Sequence, residues 1–304
     1  MTRESLQAGL VGTGTMGAAM AGRLLDLGES LRLHDAIPGS ADALLERGAG
    51  WRASVGELAA ECDVVLLSLP GPAEVESVVL GPDGLLARLR PGSVIVDLST
   101  NAVATVRSLA TKCLESGIHF LDSPVSGGSK GAREGTLVLM VGGEAEALER
   151  ARPLLEQMSR SIFHLGASGA GTVAKLVNNQ LYLCGQVLFF EGLVLAAKAG
   201  LDLTALCSIL DQTGAGGVHS RLADRVFERR FDDQTFALAL AEKDVALALE
   251  AGRSLHVAMP ATAAAHQLFV EGAAAGLEQK NFWAAIELVE QRADARISPI
   301  DPSE

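Results

Sequence analysis

The chain has 304 residues, 48% hydrophobic and 20% charged, with a formal net charge of −12 at pH 7. That is core material for two soluble globular domains, and the acidic balance argues against general affinity for nucleic acid or an anionic membrane surface. The four cysteines stand far apart with no CxxC or CxxH cluster, so no metal is expected and free thiols in a reducing cytoplasm are the default.

Met1, Thr2, Arg3, Glu4 and Ser5 contain an acid and no apolar signal core, so a cytoplasmic protein without secretion signal or membrane span is expected. The first half then alternates apolar runs with amphipathic stretches. Residues 10–11, 31–33, 64–67 and 94–96 read as strands, and residues 16–27, 41–47, 55–60 and 102–116 as helices. This alternation, with glycine-rich junctions, predicts a parallel sheet covered on both faces. A strand at 119–122 leads into a glycine-rich turn, another follows at 137–141, and a last one lies near 161–165. Beyond Gly166, Gly169 and Gly171 the pattern is helical, at 172–197, 201–211, 237–251, 260–275 and 282–292. The expected division is therefore an α/β domain at residues 1–167 and an all-α domain at 168–304. The alanine-rich helices of the second half carry more apolar surface than one small bundle hides, so self-association through it is expected.

Gly12-Thr13-Gly14-Thr15-Met16-Gly17 is a GxGxxG that directly follows an apolar strand and opens a helix. In that context it is a dinucleotide fingerprint of the Rossmann type, with the pyrophosphate against the helix N-terminus; a purely structural glycine turn is the alternative. Asp35 ends the second strand about 20 residues later, where an acid binds ribose hydroxyls, though an Asp can also simply end a strand as a turn former. Neither Arg nor Lys stands at positions 34–38, so NAD is favoured over NADP.

In the 172–197 stretch the only charged residues are Lys175 and Glu191. A helix places Lys175 and Asn179 on one face, while Leu176, Val177, Leu181, Leu183, Val187, Leu188 and Phe189 cover most of the circumference, so the helix is expected to be buried. A buried ammonium costs on the order of several kcal/mol unless paired or neutralised, which suits a proton-transfer group. A lysine near a helix start whose stem reaches water is the other reading. Finally, Ser126, Gly127 and Gly128 follow the strand ending at Asp122, and their exposed donors would suit a carboxylate; a plain glycine-rich loop explains them equally well. Strand ends at Ser68-Leu69-Pro70 and Asp97-Leu98-Ser99-Thr100 should share the same crevice.

Taken in order, the segments at 9–17, 122–128, 135–137, 140–143, 169–179 and 236–244 resemble the β-hydroxyacid dehydrogenases, a family that includes 3-hydroxyisobutyrate dehydrogenase and tartronate semialdehyde reductase. The resemblance implies that Lys175 is the catalytic acid/base and that Ser126, Gly127, Gly128 and Asn179 hold the carboxylate of a small 3-hydroxy acid. It further implies that Leu69 and Pro70 line the cofactor, that Thr100 and Lys243 lie near the nicotinamide, and that the helical domain forms dimers or tetramers. Burial would lower the lysine's pKa toward neutrality, where an amine can act as a base. Ser123 departs from the alanine usual in the family. The stretch 213–220, with His219, varies between members. An imine reductase and a non-catalytic dinucleotide-binding scaffold are the rival readings; relatives of both kinds generally lack the lysine, which this chain keeps.

Overall fold

The structure, a computed structural model, describes residues 6–37, 39–213, 217 and 223–297. The chain divides into two compact units, Met1–Lys175 and Leu176–Glu304. In the first, each apolar run becomes a strand and each amphipathic run the helix after it. Strand β1 (Ala8–Val11) leads to α1 (Thr15–Asp26), β2 (Leu31–His34) to α2 (Asp42–Leu45), and β3 (Gly50–Trp51) to α3 (Val55–Glu61). Next come β4 (Val64–Leu67) with α4 (Pro72–Leu80), β5 (Val94–Asp97) with α5 (Val103–Glu115), and β6 (His119–Asp122). The unit continues through β7 (Val125–Ser126), α6 (Gly128–Glu134), β8 (Leu137–Gly142), α7 (Ala145–Leu155) and β9 (Ser159–Gly166).

The nine strands form one sheet in the order β3-β2-β1-β4-β5-β6-β8-β7, with β9 on β8. Strands β1 to β6 pair parallel. The predicted parallel sheet is thus present, and its parallel run ends at β8, which runs antiparallel to β6 and β7. A parallel return needs a helical crossover along the sheet face; here the chain turns back at once through β7 and the seven-residue α6. Alternate residues feed two cores. Leu10, Leu66 and Val96 pack with Met20 and Leu24 of α1 and Leu148 of α7. Val11, Val65 and Ile95 pack with Leu58, Val75 and Val106 of α3, α4 and α5. Burial on both faces explains why these strands read as continuous apolar runs.

The 29-residue α8 (Ala170–Lys198) carries the chain into the second unit. There follow α9 (Leu203–Gln212), α10 (Asp224–Phe227), α11 (Leu238–Ser254), α12 (Pro260–Ala274) and α13 (Ile286–Ala293). Asp202 caps α9 by accepting from the Thr204 and Ala205 N–H groups, and Pro260 opens α12, where no amide hydrogen is needed. Phe190 and Leu193 of α8 pack with Leu238, Phe269 and Trp283 in this unit's core. The other side of α8 differs from the sequence expectation: Leu181, Leu188 and Leu195 are 68%, 69% and 72% exposed. The helix is thus two-faced, one apolar stripe in the core and another uncovered.

Candidate active site

The dinucleotide turn is built by close backbone approach. Gly12 bends the chain at φ +95°, and a Cβ on Gly17 would lie 1.9 Å from the Gly12 carbonyl oxygen, so only glycine lets α1 rise this near β1. A Cβ on Gly14 would meet nothing within 4 Å; this is the open side, where a pyrophosphate could reach the first-turn N–H groups of α1. Thr13 is buried, Thr15 exposed and Met16 half-buried. Asp35, just beyond β2, is tied to this turn. Its Oδ2 accepts from Thr13 N at 2.6 Å and Thr13 Oγ1 at 3.1 Å, and its Oδ1 from Ile37 N at 2.8 Å. Since the Thr13 hydroxyl donates to Asp35, the Ser40 hydroxyl 2.6 Å away donates to Thr13. Burial pushes the Asp35 carboxyl up, but the Ile37 and Thr13 donors outweigh it and hold it below its ordinary value. A charged, fixed carboxylate beside an open glycine turn fits the ribose and pyrophosphate of NAD.

A second cluster closes β4 and β5. Asp97 is fully buried and accepts from Ser99 N at 3.0 Å and Asn101 Nδ2 at 2.9 Å. Ser99 Oγ accepts from Leu69 N at 3.0 Å, tying the end of β4 to the end of β5. Burial is the main cause that pushes the Asp97 carboxyl up to about 6, against the bonds from Asn101 and Ser99. Leu69 and Thr100 are half-buried at this edge and Pro70 is exposed. Cys62 and Cys113 lie in the core of this unit, where burial pushes both thiols up to about 12, so neither is a nucleophile.

A third cluster joins the end of β6 to the start of α8. Asp122 Oδ1 accepts from Gly169 N at 2.8 Å, and Oδ2 from Thr172 N at 2.7 Å and Thr172 Oγ1 at 3.0 Å. Burial raises the Asp122 carboxyl and these donors oppose the rise. One turn along the helix, Lys175 Nζ donates to the Val125 carbonyl at 2.8 Å. Lys175 is half-buried, less enclosed than an all-round buried helix would make it. Ser126 follows Val125 in β7, half-buried, and Gly127 and Gly128 are exposed, with φ +129° and +63°. The predicted residues Lys175, Ser126, Gly127 and Gly128 thus belong to one local arrangement.

In the second unit, Asn179 is buried, accepts from Asn178 Nδ2 at 3.0 Å and donates through Nδ2 to Asp244 Oδ2 at 2.6 Å. Lys243 Nζ lies 3.1 Å from Asp244 Oδ1, so Asp244 links Asn179 to Lys243. Sequence reasoning placed Asn179 and Lys243 but missed Asp244, and likewise Asn101 and Thr172. The available signal for the strand-end acids was register: Asp97 and Asp122 are direct partners at the carboxyl ends of neighbouring parallel strands. Of the 213–220 stretch only Thr213 and Gly217 are among the described residues, and His219 lies outside them. Among the described residues no group of His, Cys, Asp and Glu could hold a metal ion.

Comparison with known proteins adds to this geometry. Residues 7–166 match the family described as the NAD binding domain of 6-phosphogluconate dehydrogenase. Residues 169–289 match the one described as NAD-binding of NADP-dependent 3-hydroxyisobutyrate dehydrogenase. The chain is 35% identical over 297 residues to 2-(hydroxymethyl)glutarate dehydrogenase of Eubacterium barkeri, covering 97% of this chain and 98% of that protein. It is 42% identical over 210 residues to the NAD-dependent L-serine dehydrogenase of Pseudomonas aeruginosa, 69% of this chain and 70% of the relative. The structure of Mycobacterium tuberculosis 3-hydroxyisobutyrate dehydrogenase with L-serine superposes with a TM-score of 0.84 at 32% identity, covering 93% of this chain and 99% of that one.

Proposed function

The chain belongs to the β-hydroxyacid dehydrogenase family and is an NAD-dependent 3-hydroxyacid dehydrogenase, and on that premise we propose that its substrate is a 3-hydroxyisobutyrate- or glycerate-like acid and that Lys175 is the general acid/base. The observation that carries the second part is the 2.8 Å bond from Lys175 Nζ to the Val125 carbonyl, one residue before Ser126. That carbonyl accepts an N–H of Lys175 in either protonation state, so the bond orients the amine beside Ser126 whether it acts as base or as acid. NAD, when bound, supplies the hydride acceptor. Gly12, Thr13, Gly14, Thr15, Met16, Gly17 and Asp35 hold its phosphates and ribose; Leu69, Pro70, Thr100 and Lys243 line its other end. Ser126, Gly127, Gly128 and Asn179 hold the substrate carboxylate, so that the hydroxyl meets Lys175. General acid/base assistance of this kind contributes about 10²–10⁴-fold.

The substrates named in the relatives narrow the class. L-Serine, 3-hydroxyisobutyrate and 2-(hydroxymethyl)glutarate are all 3-hydroxypropionates that differ only in the group on carbon 2. A 2-substituted 3-hydroxypropionate is therefore the proposed substrate. The proposed assembly is a dimer or tetramer through the helical unit, supported by the uncovered stripe at Leu181, Leu188 and Leu195, spaced by sevens along α8. By length and composition α8 could cross a membrane, but its other stripe, with Leu183, Phe190 and Leu193, packs in a protein core. The proposed location is accordingly the cytoplasm. The test is NADH formation at alkaline pH from acids bearing methyl, hydroxyl, ammonium or carboxyethyl at carbon 2, run beside NADP. Turnover of one of them with NAD is expected; silence across the panel, with NADH still bound, would contradict the substrate assignment.

A further inference from the structure

Asp122 closes β6 with only 1% of its surface exposed, a position where a carboxylate without partners would be costly. Its partners are specific. Gly169 N, Thr172 N and Thr172 Oγ1 all donate to it within 3.0 Å. Gly169 and Thr172 flank the start of α8, where amide hydrogens have no acceptor inside the helix, and a negative charge at that end is favoured by the helix dipole. Three residues further along each segment the same two stretches meet again, where Lys175 Nζ donates to the Val125 carbonyl at 2.8 Å. The loop from Asp122 to Val125 and the helical turn from Thr172 to Lys175 are therefore tied at both ends. Just before the first tie, at the helix start, the backbones are in close contact: a Cβ on Gly171 would lie 2.6 Å from the Asp122 carbonyl oxygen and 2.1 Å from that of Met140 in β8. The helix start has no freedom to slide without breaking one tie or the other.

We propose that Asp122, acting through Thr172, is a positioning residue that sets the first turn of α8 against the loop at 122–128 and so fixes where Lys175 presents its amine. The inference rests on the proposed role of Lys175, since an amine that moves no proton needs no such placement. Asp122 itself touches neither substrate nor cofactor in this account. A cap that only stabilised the helix would change the unfolding temperature and leave the amine's chemistry alone. A positioning residue changes the rate of the proton step and its pH dependence, and leaves the dinucleotide turn on β1 and α1 undisturbed.

The experiment compares Thr172→Val, Thr172→Ser, Asp122→Asn and Lys175→Ala with the parent full-length protein. It records kcat, KM, the pH profile of kcat, NADH affinity by fluorescence and thermal unfolding. Thr172→Val keeps the side-chain shape and removes the hydroxyl donor; kcat is expected to fall on the order of 10-fold, and in Asp122→Asn on the order of 10- to 100-fold. The pH profile of kcat is expected to move in both, NADH affinity to stay unchanged, and Thr172→Ser, which keeps the hydroxyl, to recover most of the rate. Parent kcat and parent pH profile in Thr172→Val and Asp122→Asn, with Lys175→Ala inactive, would overturn the inference alone. Loss of NADH affinity in step with kcat would also overturn it, as general structural damage. Should Asp122→Asn not fold, the contrast between Thr172→Val and Thr172→Ser decides by itself. Parent turnover in Lys175→Ala would instead overturn the proposed function.

Discussion

Replacing Gly171 by Ala tests how tightly the seat of α8 fixes the lysine. The added Cβ would stand 2.1 Å from the Met140 carbonyl oxygen, 2.6 Å from that of Asp122 and 2.9 Å from Gly142 N, all backbone atoms with no rotamer to escape into. Restoring ordinary contact requires the helix start to withdraw by roughly 1 Å, since carbon-to-heavy-atom contacts settle near about 3.5 Å. Overpacking of this kind costs roughly 1–3 kcal/mol, and alanine's better helix propensity returns about 1 kcal/mol. The net loss of stability is therefore small, on the order of 1 kcal/mol and a few degrees in Tm. The rate should suffer far more, because a misplacement of about 1 Å at a reacting group costs on the order of 10²-fold. Steady-state kinetics, NADH titration and thermal unfolding on one preparation separate these effects. A variant with parent kcat and a lowered Tm would refute the reasoning, by showing that Lys175 keeps its place although the helix start has moved.

Three further outcomes follow from other parts of the molecule. Asp35→Ala removes a carboxylate held below its ordinary value by Ile37 and Thr13; the ratio of kcat/KM for NAD over NADP should fall by about 10-fold or more, and an unchanged ratio would contradict the ribose assignment. Asp97 is pushed up to about 6 from 3.8 by burial, so its contribution to stability is fully present below pH 3.8 and is lost as pH rises through about 6. Between pH 7 and pH 5 that term gains about 1 kcal/mol. Denaturant unfolding should show this increment in the parent and not in Asp97→Asn, and equal pH responses would refute it. Leu188→Glu places a charge on the 69% exposed leucine of the uncovered stripe; light scattering after gel filtration should report a smaller species, and an unchanged mass would rule that stripe out as the assembly surface.

What could be read in advance was what local chemistry dictates. The dinucleotide turn was legible because an apolar strand, three spaced glycines and a helix lie within one short stretch, and Lys175 drew notice as the one cation in residues 172–197. Elements whose formation depends on distant partners were not legible. Strands β3 and β7 have two residues each, too few for any periodicity. Helix α6, Gly128–Glu134, reads as a glycine turn because glycine disfavours helix, and is held by packing against α1. Helix α7 contains Pro153, which masks its apolar periodicity. The antiparallel run of β8 depends on how the chain turns after Pro124, and a run of leucines cannot say which face of α8 will be covered. The acids Asp97, Asp122 and Asp244 illustrate the same limit. Their residue types are visible, but two of the bonds that give them roles, to Thr172 and Asn179, span 50 and 65 residues.

The most direct measurement of the central claim is the rate of NADH formation from NAD and a 2-substituted 3-hydroxypropionate, for the parent and for Lys175→Ala, with NADH binding titrated on both. The account predicts turnover by the parent, a loss on the order of 10²–10⁴-fold in the variant, and equal NADH affinity. Parent-like turnover in Lys175→Ala would contradict it.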